Sequence, residues 1–426
     1  MRKMKVWYVA AYDQPNGQST RTYDYSRELV ARGHDVTMFC NSYCHFTHRE
    51  HLNPGEPWRV EIVDGIRVVW LRTYHYTGNG IGRGINMLSN VWCLVRVTKA
   101  LRLRPDVVLG PSVPLLTGWG AMQVARRFDV PFIFEVRDVW PDALVDIGGI
   151  TRSSVVYRVL RFIEKQLYRR AARISSTLPY LSDHVRRAGS EPAKIVCIPN
   201  GVDVSLFVEG PDYSGGTIPL TVMYVGGFGL DHDVPTIIRA AKILQEGGGD
   251  EFRFVIIGSG VRKEACLAEA ATYGLRNLVF QPPVAKSSLP AVQAQADILV
   301  AAITDSPSYR FGLNLNKLCS YFASSRPVLL SGNPPNDPVR EAGAGLSISA
   351  EDAVGMARAL RELLAAGPAE RKRLGENARR YAEKTLSLVA LGNKMELMLC
   401  AAVDEYRALN SRSGKQVTQR AVNDVK

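Results

Sequence analysis

The chain has 426 residues, 46% hydrophobic and 22% charged, which is a globular composition too long for one ordinary core and suited to two domains of similar size. Its 53 lysines and arginines outweigh 41 acids to leave a net charge of +12, pointing to anionic partners. The 7 cysteines are scattered and odd in number, against a disulfide framework, and no apolar run reaches the roughly 18 residues that span a bilayer.

The first apolar strand covers residues 5–10. A turn-rich loop at 12–20 carries Gly17, a helix follows at 22–32 before Gly33, and 35–40 is the next strand. Strand, glycine-bearing loop, helix and strand make a βαβ unit, the seed of a doubly wound sheet. The start, Met1-Arg2-Lys3-Met4-Lys5, leads into an apolar run too short for a leader peptide, so a cytoplasmic location is expected. Cys40, Cys44, His45, His48 and His51 lie close in sequence, yet their spacing fits no common zinc finger. A polar loop is expected there, and no metal. Asp64-Gly65, between apolar runs at 62–63 and 66–71, signals a hairpin. Helices at 85–103 and 115–128 flank a buried-type strand at 106–110, and the strand at 131–136 ends in Arg137-Asp138-Val139-Trp140-Pro141. Ligands gather beyond the carboxyl ends of parallel strands, which makes Arg137 and Asp138 candidates.

On the helix at 151–172, Val156, Leu160, Ile163 and Leu167 share a face expected to pack on the sheet. Arg158, Arg161, Lys165 and Arg169 share the opposite face, an expected basic ridge for anionic lipid or acceptor. Trp92, with Arg96, Lys99, Arg102 and Arg104, offers a second such contact. The chain carries no zinc finger, ribonucleoprotein motif or basic-aromatic platform, so nucleic acid is not an expected partner. Pro199-Asn200-Gly201-Val202-Asp203 is a turn and 210–219 a Gly/Pro/Ser/Asp-rich linker, giving a first domain over 1–208.

A second α/β series begins with the strand at 220–225 and Gly226-Gly227-Phe228-Gly229. Further strands are expected at 252–257, before Gly258-Ser259-Gly260, and at 278–281 and 298–302. The stretch 308–321 opens with small and polar residues and turns helical from about Leu315. Such a start offers unpaired N–H groups and the positive end of a dipole to a phosphate. Lys317 lies in the first turn, where the dipole favours an acid, so its charge is expected to serve a ligand. The second domain closes at 388; a helix at 389–409 and a disordered tail at 410–426 follow. Two doubly wound α/β domains facing across a cleft are the expected architecture.

Pro199-Asn200-Gly201-Val202-Asp203, Gly226-Gly227-Phe228-Gly229, Gly258-Ser259-Gly260 and Asn316-Lys317-Leu318, in this order, resemble the family 4 retaining glycosyltransferases. Phe134-Glu135-Val136-Arg137-Asp138-Val139-Trp140-Pro141 and His232-Asp233-Val234-Pro235-Thr236-Ile237-Ile238 are similar to the bacterial surface-polysaccharide branch, which includes N-acetylfucosamine-type transferases. The resemblance runs from about residue 4 to residue 390. It implies the GT-B fold, with two Rossmann-like domains across a cleft. The first would bind acceptor, the second (209–388) nucleotide-sugar, and the helix at 389–409 would cross back to the first. It implies retaining transfer of a hexose or N-acetylhexosamine from a nucleotide-sugar to a lipid-linked sugar. The setting would be O-antigen, capsule or exopolysaccharide synthesis, with the protein peripheral on the inner face of the cell membrane. No cofactor or metal is implied, since helix dipole, backbone N–H groups and basic side chains stabilise a leaving diphosphate.

Within that frame Lys317 holds the diphosphate, and Gly312, Leu313 and Asn314 give it backbone contacts beside Arg310. Gly227 and Gly229 let the backbone approach the leaving group, Gly17 does so from the first domain, and Lys286 is a further phosphate ligand. Asp138 touches a sugar and Arg137 neutralises phosphate charge. The family usually carries two glutamates eight positions apart here, and those positions hold Gly312 and Ser320. A carboxylate bond to ribose is charge-assisted and roughly twice as strong as a neutral one. Many members also end the strand at 132–136 with a histidine, where this chain has Arg137 and Asp138. Two alternatives stay open: a nucleotide-sugar-binding subunit that acts through a partner, and a sugar-nucleotide epimerase on the same fold.

Overall fold

The structure, a computed structural model, describes all residues except 1, 16, 18, 19, 46, 79, 147, 208–212, 214, 249 and 424–426, and describes 412–423 by backbone alone. The chain divides into two compact units, one of Met1–Pro199 with Leu391–Lys426 and one of Asn200–Ala390. The division falls at the Pro199-Asn200 turn, ahead of the linker that the composition suggested. Asn200 N–H already bonds to Asn314 Oδ1 (2.9 Å), and Val202 N–H to the Leu386 carbonyl (2.9 Å), so the turn belongs to the second unit.

Unit 1 is built on eight strands: β1 (Lys5–Ala10), β2 (Asp35–Asn41), β3 (Trp58–Val63), β4 (Ile66–Leu71), β5 (Val107–Pro111), β6 (Phe132–Val136), β7 (Arg173–Ser176) and β8 (Ile195–Cys197). They lie in the order β3-β4-β2-β1-β5-β6-β7-β8. All neighbours are parallel except β3 and β4, joined through Asp64 and Gly65 at φ 49° and 77°, the two positive angles that a tight hairpin turn needs. β3 is longer than its apolar residues suggested because, at the sheet edge, Val60 and Ile62 stay exposed and the pattern is lost. The helices are α1 (Arg21–Ala31), α2 (Ile81–Ala100), α3 (Leu115–Phe128), α4 (Asp142–Asp146), α5 (Val155–Arg170) and α6 (Ser182–Arg187). α3 sits so close to β5 that a Cβ on Gly118 would lie 2.6 Å from the Pro111 carbonyl oxygen.

Unit 2 has six parallel strands: β9 (Leu220–Val225), β10 (Phe252–Ile257), β11 (Leu278–Gln281), β12 (Ile298–Ala302), β13 (Val328–Ser331) and β14 (Gly345–Ile348). Their order is β11-β10-β9-β12-β13-β14, so the chain reverses its direction of winding beside β9. Such switch points open a crevice at the strand ends. The helices are α7 (Val234–Glu246), α8 (Lys263–Thr272), α9 (Leu289–Gln293), α10 (Asn316–Ala323), α11 (Pro338–Ala342), α12 (Ala353–Ala365) and α13 (Gly367–Tyr381). α7 forms because Asp233 caps it, accepting from Thr236 N–H at 3.3 Å, and because Val234, Ile237, Ile238, Ala241 and Leu244 recur at helical spacing and are all buried.

The last helix, α14 (Leu388–Asn423), returns to unit 1 at Leu391. Leu391, Met395, Met398, Leu399, Ala402 and Val403 join the core of β1, β2 and α1. Its buried Glu396 meets His34 Nε2 at 3.1 Å. The helix runs on past 409, where a disordered tail was expected, and residues 424–426 of that stretch lie outside the described residues. Arg407 pairs with Asp106 (2.6 Å), Tyr406 and Asn410 reach Asp129 (3.0 and 3.3 Å), and the helical backbone continues to Asn423.

Candidate functional site

In unit 2 the glycine turn after β9 is held from two sides. Gly226 N–H bonds to the Ile257 carbonyl (3.0 Å) and Phe228 N–H to the Ser259 carbonyl (2.9 Å). A Cβ on Gly258, at φ 150°, would lie 1.9 Å from the Gly226 oxygen, so the two loops meet only because residue 258 lacks a side chain. On the other side, the Tyr321 hydroxyl accepts from Val225 N–H (2.8 Å) and donates to its carbonyl (3.2 Å), pinning α10 to the end of β9.

That anchor sets Lys317, one turn earlier, against Gly226, where any Cβ would come within 2.9 Å of Lys317 Nζ. The ammonium donates to the Tyr224 hydroxyl (2.7 Å) and lies 4.2 Å from the centre of its ring. Tyr224 in turn donates to the Gly227 carbonyl (2.6 Å). Burial lowers the Lys317 pKa to about 7, against the pull of Asp231, the one acid that raises it. A half-buried lysine facing a phenol rather than a carboxylate is an under-neutralised cation, the arrangement that an anionic ligand would complete. Next to it, the His232 ring borders Gly227, with Cδ2 3.8 Å from where a Cβ would stand. Burial and the Lys317 charge bring the His232 pKa down to about 4.

Other residues expected at this site are differently committed. Gly312, at φ 114°, closes a turn by donating to the Tyr309 carbonyl (2.9 Å), and Leu313 N–H bonds to Asn336 Oδ1 (2.6 Å). The phosphate contacts expected of these two N–H groups are therefore not on offer, because the loop uses them to hold its own shape. Asn314 turns its side-chain oxygen to Asn200 N–H. Arg310 Nη1 donates to the Pro307 carbonyl (2.7 Å), with the guanidinium over the Phe311 ring at 4.7 Å. Lys286 is exposed on a short turn after β11, and Gly227 and Gly229 form the outer edge of the glycine turn. Ser320 is buried, accepts from Gln293 Nε2 (2.9 Å) and donates to the Lys317 carbonyl (2.9 Å). The hydroxyl expected to face a ribose instead ties α10 to α9.

In unit 1 the carboxyl ends of β1, β5 and β6 surround a cavity of about 180 Å³ lined by Ala10, Ala11, Tyr12, Asp13, Pro111, Val113, Arg137 and Asp138. Its wall is a charge cluster. Glu135, fully buried, accepts from the Tyr8 hydroxyl (2.5 Å), Arg21 Nε (2.9 Å) and Arg137 Nε (2.8 Å). Asp13 accepts from Arg137 Nη1 (2.7 Å) and from both N–H (2.9 Å) and hydroxyl (2.6 Å) of Thr22. Burial would raise the Glu135 carboxyl, but Arg137 and Arg21 outweigh it and hold it below the usual carboxylate range. Arg137 Nε, Nη1 and Nη2 are engaged with Glu135, Asp13 and Thr22. Asp138 is exposed at the lip, its backbone held by Ser112 (2.8 Å). Gly17 N–H closes a turn onto the Gln14 carbonyl (3.1 Å). Two of the clustered histidines stack on aromatic rings, His45 on Tyr12 (4.6 Å) and His51 on Trp70 (4.5 Å). Among the described residues no group of His, Cys, Asp or Glu is arranged to hold a metal ion.

The surface of unit 1 departs from the expected basic ridge. On α5 the buried residues are Ile163, Glu164, Leu167 and Tyr168, while Val155, Val156, Val159 and Phe162 are exposed. Glu164 turns inward, where it pairs with Arg161 and meets His184 Nε2 (2.5 Å), so Arg161 is drawn away from the ridge. Arg169 Nε donates to the Ala188 carbonyl (3.2 Å), Lys165 is half-buried, and Arg158 is exposed. On α2, Ile81, Ile85, Leu88 and Trp92 form an exposed row at helical spacing, Leu88 at 60% and Trp92 at 61% exposure, with Arg96 5.1 Å from the Trp92 ring. Among the described residues no helix is long and apolar enough to cross a membrane.

Two doubly wound parallel-sheet units, the second with an under-neutralised lysine beside its first glycine turn, define the GT-B class of glycosyltransferase. Residues 16–201 match the glycosyl transferase 4-like domain and residues 219–366 the glycosyl transferases group 1 model. The chain belongs to the family 4 glycosyltransferases. It is 22% identical over 302 residues to the probable glycosyltransferase WbjE of Pseudomonas aeruginosa, covering 66% of this chain and 72% of that protein. Among solved structures, Anabaena Alr3699/HepE in complex with UDP-glucose superposes with a TM-score of 0.64 at 12% identity, covering 93% of this chain and 100% of that one. WaaG, a glycosyltransferase involved in lipopolysaccharide biosynthesis, gives 0.64 at 17% identity, covering 92% and 98%.

Proposed function

We propose that the protein transfers a hexose or N-acetylhexosamine from a nucleotide-sugar to a lipid-linked sugar acceptor in bacterial surface-polysaccharide synthesis, with retention at the anomeric carbon. The observation that carries this reading is Lys317, set at the N-terminus of α10 and against the glycine turn with the Tyr224 hydroxyl as its hydrogen-bond partner, where burial lowers its pKa to about 7. A diphosphate would supply the missing negative charge there. HepE, of the same fold, was solved with UDP-glucose, and WaaG acts in lipopolysaccharide biosynthesis; both support the choice of donor and pathway.

In the proposed reaction the bond from C1 to the diphosphate oxygen breaks as Lys317 and the α10 dipole stabilise the leaving group. The acceptor hydroxyl attacks from the same face, forming the new C1–O bond, and its proton passes to a phosphate oxygen. The positive charge comes from Lys317 and the helix, so the reaction is assigned no metal. In unit 1, Asp138 on the lip of its cavity is proposed to orient an acceptor hydroxyl. The cluster of Asp13, Arg21, Glu135 and Arg137 keeps that wall rigid.

The lipid end of the acceptor is proposed to bring the protein to the inner face of the cell membrane. On α2 the exposed row Ile81, Ile85, Leu88 and Trp92 ends beside Arg96 and Lys99, and the helix has no acidic residue. That pairing of apolar row and basic end suits an anionic bilayer surface better than the ridge first expected on α5.

The test is transfer from a panel of radiolabelled UDP-, GDP- and dTDP-sugars to a lipid-diphosphate-linked sugar. A lipid-linked product retaining the donor's anomeric configuration is expected. Tight donor binding without transfer from any of them would favour the partner-subunit reading, which the loss of a ribose-facing group at Ser320 keeps alive.

A further inference from the structure

The sheet of unit 1 ends at β3, which pairs with β4 and with no other strand among the described residues. Their register runs one to one from Trp58 opposite Leu71 to Val63 opposite Ile66, without a bulge, and Arg72 N–H bonds to the Pro57 carbonyl (3.2 Å) just before it. Bonded positions alternate in an antiparallel pair, so Pro57, Arg59, Glu61 and Val63 direct their backbone groups to β4. Trp58, Val60 and Ile62 turn theirs outward, where no described residue meets them. Open N–H and C=O groups template another strand, and edges are commonly guarded by a lysine, a proline, a bulge or extreme shortness. The 6 residues of β3 include none of these guards. Its outward positions are apolar, Val60 at 40% and Ile62 at 64% exposure, and its charges are one of each sign, Arg59 and Glu61.

We propose that two copies of this chain associate through β3, antiparallel about a two-fold axis at Val60, which joins their eight-stranded sheets into one. The register follows from the sequence. A two-fold pairing must set outward positions against outward positions, which leaves centres at Arg59, Val60 and Glu61. A centre at Arg59 or at Glu61 sets that residue against its own copy, and like charges directly opposed repel. The centre at Val60 instead sets Arg59 of each copy opposite Glu61 of the other. On the same register Trp58 meets Ile62, and Val60 meets its own copy, so the bonded pairs are apolar and exchange both N–H···O bonds. Glu61 keeps an oxygen for this role, since Oε2 accepts from Trp70 Nε1 (2.9 Å) and Oε1 does not. Arg59 holds the His51 carbonyl through Nη2 (2.8 Å) and lies 3.4 Å from Glu56 through Nη1, which fixes the guanidinium beside the strand. The exposed row on α2 is the rival surface for self-association, and the test separates the two.

The test is sedimentation velocity of the full-length protein from about 1 to about 200 µM. A short strand pairing makes a small interface, so monomer at the low end and dimer at the high end are expected. Val60→Pro removes an N–H that β4 does not use and should leave a folded monomer throughout. Arg59→Glu and Glu61→Arg each oppose like charges and should weaken the dimer by about 10-fold or more. Mixed in equal amounts, these two variants set acid against base at every charged position and should associate at least as tightly as wild type. A variant that had merely lost its fold would not regain association on mixing, and thermal melts of each check the loss of the Glu61–Trp70 bond. A wild-type protein that stays monomeric at about 200 µM would overturn the proposal. So would a dimer that survives Val60→Pro, or one that Leu88→Glu with Trp92→Glu abolishes, which would assign the contact to α2. Failure of the mixed charge variants to associate would overturn the pairing about Val60.

Discussion

At the strand ends of unit 1, charges are matched one for one, Asp13 and Glu135 against Arg21 and Arg137, and each arginine reaches oxygens on several elements. At the first strand end of unit 2, Lys317 has a phenol as its hydrogen-bond partner, and His232 Nδ1 has none among the described residues. The same fold topology thus carries a saturated cluster in one unit and an under-saturated one in the other. A saturated cluster resists change and fixes backbone; an under-saturated one costs stability and gains it back from a ligand. Arg137 donates to Glu135, Asp13 and Thr22, whereas Lys317 donates to a phenol.

The largest expected effect breaks the saturated side. Glu135→Ala leaves Arg137 with Asp13 as its carboxylate and takes from Arg21 the carboxylate of its ion pair, and should cost about 3–5 kcal/mol, read from the denaturant midpoint. A loss below about 1 kcal/mol would mean that water reaches the cluster. Because the folded Glu135 carboxyl lies below its ordinary value of 4.5, its contribution is present above pH 4.5 and is lost as pH falls through the lower folded value. Glu135→Gln should flatten that acid limb.

Lys317→Ala attacks the other side and should lower the transfer rate by on the order of 10²–10³ while leaving stability equal or higher. With a folded pKa of about 7 against an ordinary 10.5, the unfolded chain binds more protons between those values, so this residue makes stability rise with pH across that window. Its penalty is complete below pH 7. Lys317→Met should remove the slope, and an unchanged slope would assign it to another group.

A double change on α2, Leu88→Glu with Trp92→Glu, should weaken sedimentation with vesicles containing phosphatidylglycerol by about 10-fold or more without altering the melting temperature, since both side chains are exposed. Equal binding by the variant would move the membrane contact elsewhere. The smallest effect is Ser320→Ala, expected to cost about 1 kcal/mol of stability by unpairing Gln293, with nucleotide affinity unchanged. A selective loss of nucleotide affinity would return Ser320 to the ribose.

Both doubly wound sheets were legible in the sequence because parallel strands buried on two faces read as continuous apolar runs, with glycine following β9, β10 and β13. Lys317 was legible because a lysine in the first turn of a helix opposes the dipole. Its partner was not: Tyr224 in an apolar strand looks like core, and nothing local signals that it meets a residue 93 positions later. The partners of Arg137 were hidden for the same reason, since Asp13 lies 124 positions away. The sequence did hold one clue, a lone glutamate in the strand Phe-Ile-Phe-Glu-Val, because a buried acid demands cations. The face of α5 was misread because Val156 was grouped with Ile163 and Leu167, whereas Glu164 joins them in the interior, paired with His184 20 positions on.

Lys317 is proposed to grip the diphosphate and nothing else of the donor. Titrating wild type and Lys317→Ala with UDP and with uridine, or with whichever nucleotide pair binds, measures this directly. UDP affinity is expected to fall by on the order of 100-fold and uridine affinity to stay the same. An equal change for both ligands, or none for either, would contradict it.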